Sequence, residues 1–292
     1  MKSVSLFRAV YLSPLLLSNC SDVEATGNAG DSNQPNIIFV LIDDVSANEL
    51  NCYNGPGINT PWFDKMANEG VVFATGYSQP LCGPSRATLL TGKYAGKNHH
   101  YSNAVTPKTS IHTTHTTMGR AMRDAGYTTA WFGKQHIDRY LDPSDFGFDY
   151  YVVYKYWNGY TGTAQGLEPN DATRRGMYGA HWYWHPGLIA NGKGIPTSPD
   201  DFGPEIELDS LLAFLDNNSG KPFFCYWPTN LPHHEYNGNT KTWFRPDVPE
   251  YDSNGNRTGK RIPGTMQSNL EFVDQALGRI FKKLAETNQM NK

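Results

Sequence analysis

The chain has 292 residues, of which 38% are hydrophobic and 18% charged, and its formal net charge at pH 7 is -3. This composition is typical of a soluble globular protein and excludes a largely disordered chain. The slightly acidic balance also argues against a nucleic-acid partner, because binding the phosphate backbone requires a basic face.

The N-terminal segment has the pattern of an export signal. A positively charged start precedes an apolar run that is too short to span a bilayer. The run ends in Leu-Ser-Asn-Cys at Cys20, which resembles a bacterial lipoprotein box with an atypical Asn. We predict a signal peptide over residues 1–20, with either a lipid on Cys20 or ordinary cleavage nearby, and a flexible tether over residues 21–34. The protein would then be exported to the periplasm, outer membrane or cell surface, or be secreted.

Beyond the tether, strand-like and helix-like segments alternate. The predicted elements are a strand at 37–42, a helix from Pro61 to Gly70 capped by Thr60, a strand at Val71–Phe73, a helix from about Pro84 to Gly92, a helix at Met118–Asp124, a strand at Thr128–Phe132, a helix at Ile206–Leu215, a strand at Pro222–Trp227 and a helix at Met266–Ala285. This alternation predicts an α/β fold with a largely parallel central sheet flanked by helices. No linker divides residues 35–292, so we expect one domain there.

Residues 150–204 read as a loop region rich in Trp, Tyr and Gly. Its segment His181–His185 combines aromatic rings with imidazoles, which can stack on a sugar or an aromatic ligand. The alternative is an aromatic loop that packs on the domain surface.

The cysteines do not form a complete disulfide set. Apart from Cys20, the chain holds Cys52, Cys82 and Cys225, so at least one thiol is left unpaired even in an oxidising compartment. Cys225 lies in an apolar strand and is expected to be a buried small hydrophobe.

Chemically active side chains follow three of the predicted strands. They are Asp43 and Asp44, then Lys134 and His136, then His233 and His234. Ligands of open α/β sheets bind beyond the carboxyl ends of the strands, so these side chains are expected at one rim. Two carboxylates suit a hard cation such as Ca²⁺, while Lys and His suit an anionic substrate. For each group alone a turn, a helix cap or a surface loop is the simpler explanation, and the argument for a site depends on their convergence.

The segment Cys82-Gly83-Pro84-Ser85-Arg86, followed by Ala-Thr-Leu-Leu-Thr-Gly, carries a family resemblance. It resembles the signature Cys-X-Pro-Ser-Arg of the formylglycine-dependent sulfatases, which are related to alkaline phosphatase. The strand-end groups also occur in the family's order, and the resemblance covers residues 35–292. A proline in the first helical turn puts residue 82 at a helix N-terminus, where an anion is favoured.

The resemblance implies a mechanism and a modification. A formylglycine-generating enzyme would oxidise Cys82 to an aldehyde, which hydrates to a geminal diol. One hydroxyl attacks the sulfur of a sulfated small molecule or polysaccharide, and deprotonation of the other expels sulfate.

The resemblance also implies a role for each motif residue. Asp43, Asp44 and the modified residue 82 would bind Ca²⁺. Arg86 would stabilise the hydrate, and Lys134 would contact the sulfate. His136 would help to expel sulfate, and His233 would protonate the leaving oxygen, with His234 as the alternative if the register differs by one.

Members of this family continue with a strand and an acidic turn that supply further calcium ligands. This sequence ends before such a turn, so the resemblance implies an incomplete site, weak calcium binding and reduced activity. Two other functions remain open. One is hydrolysis of phosphodiesters or phosphonate monoesters, and the other is that of an exported binding lipoprotein without catalysis.

Overall fold

A computed structural model describes residues 34–103, 115–137, 141–154, 177–178, 183–237 and 242–290. All described residues belong to one compact unit. The predicted signal peptide, the lipid site at Cys20 and the first two residues of the His181–His185 segment lie outside the described residues. Within the described ranges, no helix has the length and apolar character needed to cross a membrane.

The largest element is a six-stranded sheet. Its strands are β1 (Ile37–Leu41), β2 (Thr128–Gly133), β3 (Tyr150–Tyr154), β5 (Leu188–Ala190), β6 (Lys193–Gly194) and β7 (Phe223–Pro228), in the order β1-β7-β2-β3-β5-β6. The first four strands in this order are parallel, and the last two are antiparallel to their neighbours. The predicted α/β class with a largely parallel sheet is confirmed.

Two smaller sheets and six helices complete the described structure. The small sheets contain β4 (Met177–Tyr178), β8 (Glu235–Asn237) and β9 (Thr242–Phe244), and separately β10 (Val248–Tyr251) and β11 (Arg257–Ile262). The helices are α1 (Pro61–Glu69), α2 (Cys82–Thr91), α3 (Ala95–Asn98), α4 (Met118–Asp124), α5 (Gly203–Asn217) and α6 (Met266–Glu286). Short 3-10 turns cover Ala47–Glu49, Asn51–Tyr53 and Pro143–Phe146.

The central sheet is covered on both faces, which explains its nearly continuous apolar strands. Along β2, Ala130 and Phe132 belong to the core layer that contains the buried residues of α5 and α6. Trp131 points the opposite way, into the layer formed with α2 and with Phe146 and Phe148. Cys225 of β7 is fully buried, as predicted.

Helices α4 and α6 follow the sequence signals, whereas α5 extends beyond the predicted Ile206–Leu215 at both ends. Helix α2 begins at Cys82, two residues before the predicted start, and ends where Gly92 takes a left-handed conformation at φ 64°. Thr60 is the N-cap residue of α1, as predicted, but its side chain makes no cap hydrogen bond. Instead, Asp274 of α6 accepts hydrogen bonds from the N–H groups of Trp62 and Phe63, at 2.9 Å each. The cap therefore comes from a residue about 210 positions away in the sequence.

Two other predictions are wrong. Residues Val71–Phe73 form no strand, and Val71 and Phe73 are 79% and 74% exposed. A strand needs a hydrogen-bonding partner, and none pairs with this segment in the part of the chain that the structure describes. The segment 150–204 is not only a loop, because it contributes β3 and β5 to the central sheet. Its aromatic composition concealed the β-branched and apolar character of Tyr150–Tyr154.

Candidate active site

Three parallel strands deliver their following residues to one edge of the sheet. Asp43 follows β1, Lys134 follows β2 and Leu231 lies shortly after β7. Backbone hydrogen bonds join these segments, from the Asp43 N–H to the Leu231 carbonyl at 3.2 Å and from the Lys134 N–H to the Pro228 carbonyl at 2.7 Å. The convergence expected from strand order is therefore present as direct contact between the strand ends.

Gly133 allows the close approach of β2 and β7 at this edge. Its φ is +122°, and an added Cβ would overlap the carbonyl of Pro228. His136, three residues later, adopts φ 49°, and Asp44 adopts φ 58°. Left-handed conformations are uncommon for residues with a Cβ and cluster at functional sites, where surrounding contacts hold them in place.

A buried ion-pair group lies beneath this edge. Asp43 contacts Lys134 Nζ through Oδ2 and Arg86 Nη2 through Oδ1, the latter at 3.4 Å, and all three side chains are at most 5% exposed. Arg86 also donates to the Lys134 carbonyl at 3.2 Å, which ties α2 to the end of β2. Burial by itself would raise the pKa of Asp43, but Lys134 and Arg86 outweigh it and lower the pKa to about 2.

The charge of this group is positive overall. The nearby carboxyl of Glu207 offsets it little, because burial raises the pKa of Glu207 well above its usual value and favours the neutral form. One carboxylate therefore faces two cations in a site largely removed from water. Such an uncompensated positive charge favours an anionic ligand.

The sulfur of Cys82 lies beside this charged group, at the first residue of α2. Cys82 Sγ is 3.3 Å from His136 Nδ1 and 3.4 Å from Asn103 Nδ2. Burial, followed by the charges of Lys134 and Arg86, lowers the pKa of His136 to about 2. The imidazole is therefore neutral at physiological pH and can accept a proton from the side chain of residue 82.

His233 forms a second polar contact at the rim. Its Nδ1 lies 2.6 Å from the His234 carbonyl, which can only accept, so Nδ1 carries the hydrogen. Its Nε2 lies 3.5 Å from Asp44 Oδ2. Burial and the charge of Lys134 lower the pKa of His233, while Asp43 and Asp44 oppose that shift. The residue that contacts Asp44 through its ring is therefore His233, and His234 is the more exposed of the two.

The carboxylates have the donor chemistry for calcium but do not complete a site. Both Asp43 oxygens are held by cations, and the Asp44 side chain is half exposed. Among the described residues there is no group of three or more His, Cys, Asp or Glu side chains that could hold a metal. Calcium requires six to eight oxygens, and a thiol is a poor ligand for it.

Asn103 was missed by the sequence analysis. Its amide contacts Cys82 and the backbone of Gly83, yet it follows no strand and belongs to none of the recognised motifs. The contact arises because the chain after α3 folds back across the start of α2. No local pattern in the sequence signals such a return.

Comparison with known proteins identifies the family. The family model described as Sulfatase matches residues 35–292. The chain belongs to the sulfatase family. An N-acetylglucosamine-6-O-sulfatase of Bacteroides thetaiotaomicron is 31% identical over 227 residues, covering 77% of this chain and 35% of the relative. A canine N-acetylgalactosamine-6-sulfatase is 31% identical over 225 residues, covering 71% of this chain and 41% of the relative.

A solved structure agrees with this membership. It is a protein in complex with its substrate D-glucosamine-2-N,6-O-disulfate, and it matches with a TM-score of 0.54 and 30% identity. The match covers 68% of this sulfatase chain and 35% of the other protein. The chain thus spans between a third and about two-fifths of the length of these relatives.

Proposed function

We propose that this protein hydrolyses sulfate esters of carbohydrates, with residue 82 as the nucleophile after oxidation of Cys82 to formylglycine. The observation that carries the proposal is the 3.3 Å contact between Cys82 Sγ and His136 Nδ1, beside a buried group of two cations and one carboxylate. A net positive group of side chains beside a helix N-terminus suits a sulfate group. The sulfated amino sugars named for the relatives support the choice of a carbohydrate substrate.

His136 is the proposed base for residue 82. The hydrated aldehyde supplies one hydroxyl that attacks sulfur and a second whose deprotonation releases sulfate. A base for this proton must be neutral and within hydrogen-bond reach. His136 satisfies both conditions, because burial keeps its pKa low and its Nδ1 already faces the side chain of residue 82.

Lys134 and Arg86 are the proposed binding groups for the sulfate oxygens. A lysine ammonium has three donors, so Lys134 can keep its contact with Asp43 and still donate to a substrate oxygen. The two side chains are fixed by the buried ion pairs before substrate arrives. Donors that are already oriented stabilise the charge that develops in the transition state without reorganising.

His233 is the proposed acid for the leaving alcohol. Because its Nδ1–H is held by the His234 carbonyl, Nε2 is the atom that can carry a transferable proton. Asp44, 3.5 Å from Nε2, stabilises the ring when it is protonated. The lowered pKa then favours release of that proton to the oxygen that leaves sulfur.

We also propose Asp43 and Asp44 as two ligands of a calcium ion, joined by an oxygen of the modified residue 82. The remaining ligands would come from outside the described residues. When bound, the ion would polarise a sulfate oxygen as a Lewis acid.

The hydrolytic function is tested by turnover of the protein co-expressed with a formylglycine-generating enzyme. Release of sulfate is measured from an aryl sulfate and from 6-O-sulfated N-acetylglucosamine, with the phosphodiester of the same phenol as comparison. We expect sulfate release that disappears in Cys82→Ala. Faster turnover of the phosphodiester would favour the superfamily alternative, and binding of sulfated sugar that survives in Cys82→Ala without any turnover would favour a binding protein.

Export and lipid attachment are part of the proposal. They rest on the sequence that ends at Cys20. Labelling of cells with a radioactive fatty acid tests them, with Cys20→Ala as the control. We expect label in the wild type only, and an unlabelled wild-type protein in the medium would point to an ordinary cleaved signal peptide.

A further inference from the structure

Asn103 contacts the nucleophile position in two ways. Its Oδ1 accepts a hydrogen bond from the Gly83 N–H at 2.9 Å, and its Nδ2 donates to Cys82 Sγ at 3.4 Å. The first contact satisfies one of the free N–H groups at the start of α2. The second is directed at the side chain that would become the nucleophile. One amide therefore links the helix N-terminus to the orientation of residue 82.

The backbone before Asn103 is organised to bring it there. Helix α3 ends at His99 in a left-handed conformation, φ 64°, which reverses the chain. Asn98 is fully buried, accepts from the His100 N–H at 2.9 Å and donates to the Lys93 carbonyl at 2.7 Å. These bonds fasten the turn to the segment just after α2. The chain then returns along α2 to its N-terminus, where Asn103 meets Cys82.

Gly83 provides the space for this return. A Cβ at position 83 would lie 2.8 Å from His100 Nε2 and 3.1 Å from Asn103 Oδ1. Distances this short would push both side chains away from α2. Position 83 is the variable residue of the Cys-X-Pro-Ser-Arg motif. In this chain it is a glycine, and the Asn103 side chain lies close to the space that a side chain at position 83 would need.

We propose that Asn103 is a positioning residue that holds the side chain of residue 82 in the rotamer facing His136. The inference rests on the proposed function of residue 82. Residue 82 is only partly buried, and a side chain there has other staggered rotamers available. Contacts of the same sulfur with both His136 and Asn103 restrict this choice. An oxygen attached to Cβ after modification would accept the same N–H.

Two variants separate this role from simple helix capping. Asn103→Asp keeps the acceptor for the Gly83 N–H but removes the donor to residue 82, whereas Asn103→Ala removes both. Tyr101→Phe, an exposed change in the same loop, is the matched control. For each, kcat is divided by the formylglycine content measured by mass spectrometry, and KM for the aryl sulfate is determined. We expect kcat per formylglycine to fall about tenfold or more in both Asn103 variants and to be unchanged in Tyr101→Phe.

Several outcomes would overturn the proposal. Wild-type kcat in Asn103→Asp would reduce the role to capping, and an effect confined to KM would exclude a positioning role. If Asn103→Ala does not fold, Asn103→Asp alone tests the positioning role, because it retains the acceptor for the Gly83 N–H. A fully converted wild type without turnover would defeat the proposed function instead. In that case the positioning role of Asn103 is tested by crystal structures of the unconverted wild type and Asn103→Asp. We expect Cys82 Sγ to face His136 in the wild type and to rotate away from it in Asn103→Asp. An unchanged Cys82 rotamer in the variant would contradict the positioning role.

Discussion

Asp43 is the residue on which the charge of the site depends. It is the carboxylate that pairs with two buried cations, Lys134 and Arg86. Removing one partner of a buried ion pair costs much more than the pair itself contributes, because the remaining charges stay buried without compensation. Asp43 is therefore expected to contribute to stability as well as to chemistry.

Asp43→Asn tests this dependence. We expect the free energy of unfolding to fall by about 3–5 kcal/mol, because two cations lose their counterion. The matched control is Asp44→Asn, whose half-exposed side chain should change stability by only about 0.5 kcal/mol. Urea denaturation measures both. If both variants lost the same free energy of unfolding, the buried ion pairs of Asp43 would not be the source of the stability.

Glu235 predicts a dependence of stability on pH. Its side chain is buried, and burial raises its pKa from 4.5 to about 8. The folded protein thus holds this proton more tightly than the unfolded chain does. Its contribution is complete below about pH 4.5 and is lost as the pH rises through about 8.

Glu235→Gln isolates this contribution. We expect the variant to resemble the wild type near pH 5 and to be more stable than it by roughly 5 kcal/mol near pH 9, where the wild type must ionise a buried group. Thermal unfolding across this range measures the difference. A constant difference at all pH values would mean that Glu235 does not titrate on unfolding.

At the scale of elements, α1 depends on α6 for its start. Asp274 accepts from two N–H groups in the first turn of α1, although burial raises the pKa of Asp274 to about 6. Gly278, one turn later on α6, leaves room for the ring of Trp62. The two helices therefore dock through a cap and a close contact on the same face of α6.

Asp274→Ala should destabilise the protein by about 1–2 kcal/mol, since the first turn of α1 loses its cap. Asp274→Asn retains an acceptor and is expected to recover most of that loss. Gln275→Ala, at an exposed position of the same helix, serves as the control. If Asp274→Asn lost as much stability as Asp274→Ala, the loss would come from the charge of Asp274 and not from capping.

Elements with strong local signals could be predicted from the sequence. Helices α4 and α6 lie within one residue of their predicted bounds, because apolar periodicity and caps mark them. The strand predicted at Val71–Phe73 was wrong, because an apolar run does not indicate whether a partner strand is present. The capping hydrogen bonds of α1 could not be predicted, because their acceptor, Asp274, is distant in the sequence.

Across the whole molecule, too, features with a local sequence signal could be predicted, and those that depend on distant contacts could not. Asp43, Lys134 and His136 could be predicted to meet, because parallel strands end at one edge of the sheet. The contact between Asn103 and Cys82 could not, because it depends on a chain reversal after α3. The charge of the site also needed the structure, since the neutrality of His136 and Glu207 follows from burial.

The central claim is that Cys82 is the precursor of the sulfatase nucleophile. Mass spectrometry of the peptide that contains Cys82, after co-expression with a formylglycine-generating enzyme, tests it most directly. We expect the thiol to be replaced by an aldehyde, and Cys52 and Cys225 in the same sample to remain thiols. A Cys82 that stays a thiol, or that is found in a disulfide, would contradict its role as the precursor of the nucleophile.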